Sequence, residues 1–152
     1  MPNYDVLKLE SQLCFPLYAC SKEVVRKYKP YLDEIGLTYT QYITMMVLWE
    51  QKALSVKELG RYLYLDSGTL TPMLKKLENT GLIRRTRQRE DERIVMVEIT
   101  EQGLRLREKA VSIPGQIGSC INLSPEDARN LYTLLYKLLG QLDSCDMQTE
   151  RE

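Results

Sequence analysis

The sequence predicts a mainly α-helical chain carrying a small antiparallel β wing: a winged helix-turn-helix core flanked at both ends by further helices. Two observations carry that expectation. First, Leu70, Met73, Leu74 and Leu77 recur at i, i+3, i+4 and i+7, one apolar helix face. Asp66 and Ser67 stand before them with oxygens suited to a cap, and Gly81 follows as the residue that ends such a helix in a left-handed conformation. Second, Leu82-Ile83-Arg84-Arg85-Thr86-Arg87 and the β-branched run Ile94-Val95-Met96-Val97-Glu98-Ile99 read as strands joined by a charged turn, 88–92.

Taken in order, residues 7–33 read as helical, with Leu13, Leu17, Cys20, Val24, Tyr28 and Leu32 three or four apart. Pro16 favours a start of the main helix near Cys14, since proline fits a first turn where its missing N–H has no partner. Residues 4–12 then form a separate turn or short helix, Pro30 marks a kink or an end, and Gly36 falls in the next turn. Thr38 caps a second helix reaching Gln51, with Tyr42, Met45, Met46 and Trp49 as its buried stripe. Ser55 caps a third, with Val56, Leu59 and Leu63 inward, and the third and fourth helices form the helix-turn-helix. Pro72 breaks the pattern at a cost of about 3 kcal/mol, so the fourth helix either begins late, near Thr69, or bends.

Thr100 caps a helix to about Ile117, with Leu104, Ala110 and Val111 on its apolar face. Ser124-Pro125-Glu126 opens the last helix, with cap, first-turn proline and an acid at the positive end. Its stripe is Leu131, Leu134, Leu135, Leu138 and Leu142, widened by Leu139. Residues 144–152 read as a disordered polar tail. The expected organisation is one domain over 1–152: a core at 37–100, and helical segments 1–36 and 101–143 whose apolar stripes pair with a second copy. A twofold homodimer of this kind matches a palindromic DNA site.

Composition limits the chemistry. Hydrophobic residues make up 43% and charged residues 28%, ordinary for a globular chain. The N-terminus has no apolar run and no segment is long enough to span a bilayer, so a cytoplasmic chain without membrane contact is expected. With no histidine, the Ser-His-Asp triad, the Cys-His pair and the His-ligated zinc site are excluded. Cys14, Cys20, Cys120 and Cys145 show no metal spacing, and there is no Gly-rich phosphate loop. No cofactor and no metal are expected, and no enzyme built on those devices; a thiol-based one stays open.

Charge points to double-stranded DNA. Residues 75–93 hold seven basic residues (Lys75, Lys76, Arg84, Arg85, Arg87, Arg89, Arg93) against four acidic ones, a local net of +3. The chain holds 21 of each sign, so the remainder carries −3. Positive charge gathered in one stretch of a neutral protein suits phosphates. Lys75, Lys76, Arg85, Arg87 and Arg93 are the candidate phosphate contacts. Ser67, Thr69 and Thr71 offer hydroxyls that donate to phosphates or accept from base edges. By itself the charge run favours a solvated, charged hairpin; helix, glycine stop and wing together reverse that in favour of DNA.

Leu65-Asp66, Thr69-Leu70-Thr71-Pro72-Met73-Leu74, Gly81-Leu82-Ile83, Asp91-Glu92-Arg93 and Ile99-Thr100 resemble the DNA-binding core of the MarR family of winged-helix repressors. The resemblance implies a recognition helix in the major groove and a wing whose Arg93 reaches a minor groove, with Asp91 holding the wing's shape. Gln12-Leu13-Cys14-Phe15, Leu17-Tyr18, Tyr28, Leu37-Thr38-Tyr39 and Gln41-Tyr42 resemble the organic-hydroperoxide-sensing branch of that family. That implies a peroxide-reactive Cys14, with Tyr28 and Tyr39 hydrogen-bonding its sulfur across a dimer interface, and Phe15 and Tyr18 lining the pocket. Cys120 falls where two-cysteine members place a resolving cysteine; Cys20 reads as structural and Cys145 as incidental.

The physical chemistry agrees with the resemblance. The thiolate is the nucleophile, a helix start favours an anion, and phenols donate without adding charge. By spacing alone Cys14 reads as an inert buried thiol; the Gln12-Leu13-Cys14-Phe15 motif with the tyrosines reverses that reading. The implied function is a DNA-binding repressor whose reduced dimer holds a palindromic operator and lets go when organic hydroperoxide oxidises Cys14. Two alternatives are a repressor of the same fold relieved by a small phenolic ligand, and a thiol peroxidase.

Overall fold

The computed structural model describes residues 2–149, with side chains as far as residue 143. It divides into two compact units, Met1–Pro114 and Gly115–Glu152. The first begins with two short 3-10 turns, Tyr4–Leu7 and Leu9–Ser11. It continues through α1 (Cys14–Glu34), α2 (Tyr39–Gln51), β1 (Ala53–Ser55), α3 (Val56–Leu63), α4 (Ser67–Asn79), β2 (Ile83–Arg87), β3 (Val95–Ile99) and α5 (Glu101–Ala110). Then α6 (Ile113–Cys120) begins, and α7 (Pro125–Thr149) lies in the second unit. Among the described residues no helix is long and apolar enough to cross a membrane.

Local chemistry starts the helices where the sequence put them. Thr38 with Gln41 and Ser55 with Glu58 form capping boxes at α2 and α3. Asp66 caps α4 by accepting from Thr69 N, and Thr100 caps α5 by accepting from Gly103 N. The sheet has the order β1-β3-β2 and is antiparallel, with Leu54 opposite Val97 and Arg85 opposite Val97 on the other side. The three-residue β1 has no signal of its own in the sequence; it exists because β3 offers it a free edge. Met45, Leu48, Leu59, Leu70, Leu74, Leu77 and Val97 are fully buried and fasten α2, α3, α4 and the sheet together. Thr44 is buried among them, its hydroxyl donating to Thr40 O at 2.7 Å with the Met73 sulfur 3.6 Å away.

Several expectations need correction. Helix α4 does not begin late: it starts at Ser67 and carries Pro72 as its sixth residue. The bond that proline omits would end on the carbonyl of Gly68, an exposed residue in the first turn of the helix. Met46 is exposed, because the inward face of α2 follows Tyr42, Met45 and Leu48 and Met46 stands a third of a turn away. The helix expected from Thr100 to Ile117 is two helices: α5 ends at Ala110, so Val111 leaves its apolar face and is 75% exposed. The polar tail expected at 144–152 is replaced at its start by α7, whose backbone runs to Thr149; residues 150–152 lie outside the described residues.

Candidate nucleic-acid interface and redox site

Helix α4 presents Ser67, Thr69, Thr71, Lys75 and Lys76 on its exposed side. Asp66 builds its entry. One carboxylate oxygen accepts from Thr69 N at 2.8 Å and the other from Thr69 Oγ1 at 2.9 Å. These bonds, the backbone one foremost, hold the Asp66 carboxyl below its ordinary range. Thr71 Oγ1 donates to Ser67 O at 2.7 Å. The hydroxyl protons of Thr69 and Thr71 are therefore used inside the helix. With those protons engaged, the two residues retain acceptor lone pairs, the second of the two roles expected from sequence.

The wing is a closed hairpin. Gln88 N donates to Ile94 O at 2.9 Å, and Ile94 N to Asp91 O at 3.0 Å. Asp91 Oδ1 accepts from Arg93 N at 3.0 Å, so the aspartate shapes the turn from which Arg93 extends into solvent. Arg87 Nη1 donates to Glu92 O at 2.8 Å, tying the strand to the turn. Arg85 departs from expectation. Its guanidinium donates through Nε and Nη2 to Glu78 Oε2 at 3.0 and 2.8 Å, and its backbone N–H to Glu78 Oε1 at 3.0 Å. The side chain is 21% exposed, and its charge is matched internally by Glu78. The Arg85 side chain, and next its backbone N–H, keeps the Glu78 carboxyl below the usual carboxylate range. In the sequence the one trace of this pair is an acid, Glu78, seven residues before the strand arginine.

The predicted sensor residues fall into two groups. Cys14 is the first residue of α1 and is exposed; the preceding Leu13 offers no side-chain cap. Phe15 and Tyr18 are exposed beside it, with Lys22 Nζ 5.2 Å from the Tyr18 ring centre. Leu13 is 81% exposed and Leu17, Val24 and Val25 are exposed too, a run of apolar surface that this chain leaves uncovered. The second group is Tyr28 and Tyr39, whose ring centres lie 5.0 Å apart, edge to face. Tyr42 joins both at 5.8 and 6.5 Å, and Trp49 joins Tyr42 at 6.3 Å. Burial raises the phenolic pKa of Tyr28, Tyr39 and Tyr42, and neighbouring phenols add to the rise at Tyr28 and Tyr42. At 1.5 Å per residue, Cys14 and Tyr28 are about 21 Å apart along α1.

The other cysteines are placed as follows. Cys120 is the last residue of α6 and is exposed, its thiol donating to Gln116 O at 3.6 Å. Cys20, expected to be structural, is exposed on the outer side of α1. Cys145 lies outside the described side chains. The joint between α4 and α5 rests on bonds between residues distant in sequence, which carry no local signal. Thr100 Oγ1 donates to Gly81 O at 2.6 Å, Gln102 Nε2 to Thr80 O at 3.2 Å, and Trp49 Nε1 to Gly103 O at 2.8 Å.

Known proteins share this arrangement. The sequence model of the SarA/Rot transcriptional regulators matches residues 26–109. The organic hydroperoxide resistance transcriptional regulator of Bacillus subtilis (strain 168) is 53% identical over 140 residues, covering 92% of this chain and 95% of that protein. Reduced AbfR bound to DNA is similar at 33% identity and a TM-score of 0.73, covering 91% of this chain and 97% of that one; AbfR is a protein of Staphylococcus epidermidis. Its disulfide-formed structure matches at 35% identity and a TM-score of 0.62, over 89% of this chain and 95% of that one. Fold, wing and sequence therefore agree: the chain belongs to the MarR family of winged-helix transcriptional regulators, in the branch of the organic hydroperoxide resistance regulators.

Proposed function

We propose that this chain is the subunit of a homodimeric transcriptional repressor that reads organic hydroperoxide through Cys14. The reduced dimer holds a palindromic operator, with α4 in the major groove and Arg93 in a minor groove. The single observation that carries the reading is the exposed Cys14 at the start of α1, set in uncovered apolar surface, in a chain 53% identical to an organic hydroperoxide resistance regulator. Residues 37–100 serve as the DNA-reading core, and 1–36 with 101–143 as the pairing helices of a single domain. Exposed Leu131, Leu134 and Leu142 on α7 support that assignment, since a face of this kind needs a partner.

The separation of Cys14 from Tyr28 supports a pocket completed by two chains. Phenols of one subunit donate to the Cys14 sulfur of the other, and Phe15 and Tyr18 wall the alkyl group. The Cys14 thiolate attacks one oxygen of ROOH; the O–O bond breaks and an S–O bond forms. Sulfur is oxidised to the sulfenic acid, and the other oxygen leaves as alkoxide and takes a proton to become ROH. The sulfenic acid then condenses with a thiol, releasing water and forming a disulfide. Cys120 or a small-molecule thiol supplies that second sulfur.

Titration of DNA binding with cumene hydroperoxide, with mass spectrometry of Cys14 and Cys120, tests the reading. The wild-type dimer is expected to leave DNA in step with Cys14 oxidation, and Cys14→Ser to bind DNA and ignore peroxide. Release of the Cys14→Ser protein by peroxide would overturn the sensor assignment. Its release by a phenolic ligand in the absence of peroxide would favour the ligand-relieved alternative.

A further inference from the structure

We infer that Glu78 sets DNA specificity: it withholds the Arg85 guanidinium from the phosphate backbone and fixes the angle between the recognition helix and the wing. The inference rests on the DNA-binding reading above and extends it to a residue that touches no DNA.

The geometry is a three-bond clamp across a corner. Glu78 is the penultimate residue of α4, and Arg85 is the middle residue of β2. The order β1-β3-β2 makes β2 an edge strand, and Arg85 N–H, at 3.0 Å from Glu78 Oε1, is one of its outward donors. Oε2 takes the guanidinium through two nitrogens. One carboxylate thus satisfies the strand's backbone and its side chain together, and the turn at Thr80, Gly81 and Leu82 is closed from outside. The side chains are 21% and 33% exposed, whereas the partners in the other ion pairs of the described residues are 57–92% exposed. Reduced exposure means reduced screening by salt, so this pair persists under conditions that weaken the others.

The electrostatic consequence follows from position. Among the described residues, this is the one ion pair within 75–93, the stretch where the basic residues gather. Arg87 is held by a neutral carbonyl and keeps its full charge, and Lys75, Lys76, Arg84, Arg89 and Arg93 are exposed. A further free arginine here would add a phosphate contact. Such contacts raise affinity for any duplex and carry no sequence information. Base readout depends instead on α4 and the wing entering their grooves in fixed register. Glu78 acts on both terms in the same sense: it lowers the indiscriminate one and preserves the selective one.

The test compares two duplexes over a salt series: one selected from a random pool by the wild-type protein, and a scrambled duplex of the same composition. For Glu78→Ala, binding to the scrambled duplex is expected to tighten several-fold, and its log–log salt slope to steepen by about 0.9 as one more counterion is released. The ratio of selected to scrambled affinity is expected to fall about tenfold. Glu78→Ala/Arg85→Ala has no freed charge, so the ratio still falls and the slope does not steepen. Glu78→Gln keeps an acceptor for the Arg85 backbone and guards against a folding defect; it is expected to lie between wild type and Glu78→Ala. Equal weakening of both duplexes with an unchanged slope, or no change at all, overturns the inference and leaves the DNA reading intact. A wild-type protein without salt-dependent binding to either duplex overturns both.

Discussion

Cys14 and Tyr28 stand on the same helix, α1, about 21 Å apart along its axis. Within one chain the thiol and the phenol cannot touch, so any pocket joining them is built by two. Mixed dimers read this directly. Cys14→Ser paired with Tyr28→Phe/Tyr39→Phe keeps one cysteine facing intact tyrosines, and its remaining Cys14 should oxidise as fast as in wild type. Wild type paired with a Cys14→Ser/Tyr28→Phe/Tyr39→Phe chain leaves its one cysteine facing phenylalanines. That thiol should react about tenfold more slowly, the worth of a hydrogen bond to a charged group. Sulfenic acid formation followed by mass spectrometry separates the cases, and the reverse order would place the pocket within one chain.

Arg93 extends from a turn that Asp91 shapes through the Arg93 backbone N–H. Arg93→Ala should weaken DNA binding by about 1–3 kcal/mol and reduce the salt slope by about one if the side chain meets phosphates or a narrow groove. Asp91→Ala should weaken binding through a displaced Arg93, without the same loss of slope. Fluorescence anisotropy at several salt concentrations distinguishes the two.

The tyrosine cluster makes a pH prediction. Burial raises Tyr28, Tyr39 and Tyr42 above the ordinary value of 10.0. The folded chain then keeps protons that the unfolded chain releases, so their contribution is whole below pH 10 and is lost as pH rises beyond it. Tyrosinate absorbance should show a late-ionising component that is absent from a variant with Tyr28, Tyr39 and Tyr42 replaced by phenylalanine. Thermal melts should fall steeply in the same alkaline window, and less so in a variant with the three replaced by phenylalanine.

Gly103 sits where α5 meets the end of α4. A Cβ there would run into the carbonyl oxygen of Leu82 and come within 2.8 Å of Ile99 Cγ1. Gly103→Ala should cost about 1–3 kcal/mol by overpacking. At roughly 2–4 °C per kcal/mol for a chain of this size, a melting curve detects it. Thr100→Val removes the cap of α5 and the bond to Gly81 O together, and should cost about 1–2 kcal/mol.

The elements that local chemistry dictates were readable in the sequence. Thr38, Ser55, Asp66 and Thr100 cap helices because short oxygens reach the free N–H groups of a first turn, a fact of neighbouring residues only. Of the stripe Leu70, Met73, Leu74 and Leu77, the three leucines are buried as its spacing implied and Met73 is half-buried. What escaped was decided by residues far apart in sequence. β1 has only three residues and needs β3 to exist. Arg85 looked like its neighbours in a basic run, and only the corner between α4 and β2 shows that Glu78 takes its charge. Thr69 and Thr71 offer both donor and acceptor roles by composition, and only their bonds to Asp66 and Ser67 show that the protons are engaged within the helix. Cys14 and its tyrosine partners were readable only through the family resemblance; the spacing of residues along one helix says nothing of which groups two chains bring together.

Thr100 pins Gly81, Glu78 pins Arg85, and Trp49 pins Gly103, so α2, α4, the wing and the start of α5 are bolted into one reading head. A head bolted in this way is steered as a whole. Its message to DNA is carried by orientation: two intact heads that point the wrong way no longer fit two grooves at once. Oxidation and release should therefore leave the helical content of this unit, seen by circular dichroism, where it was.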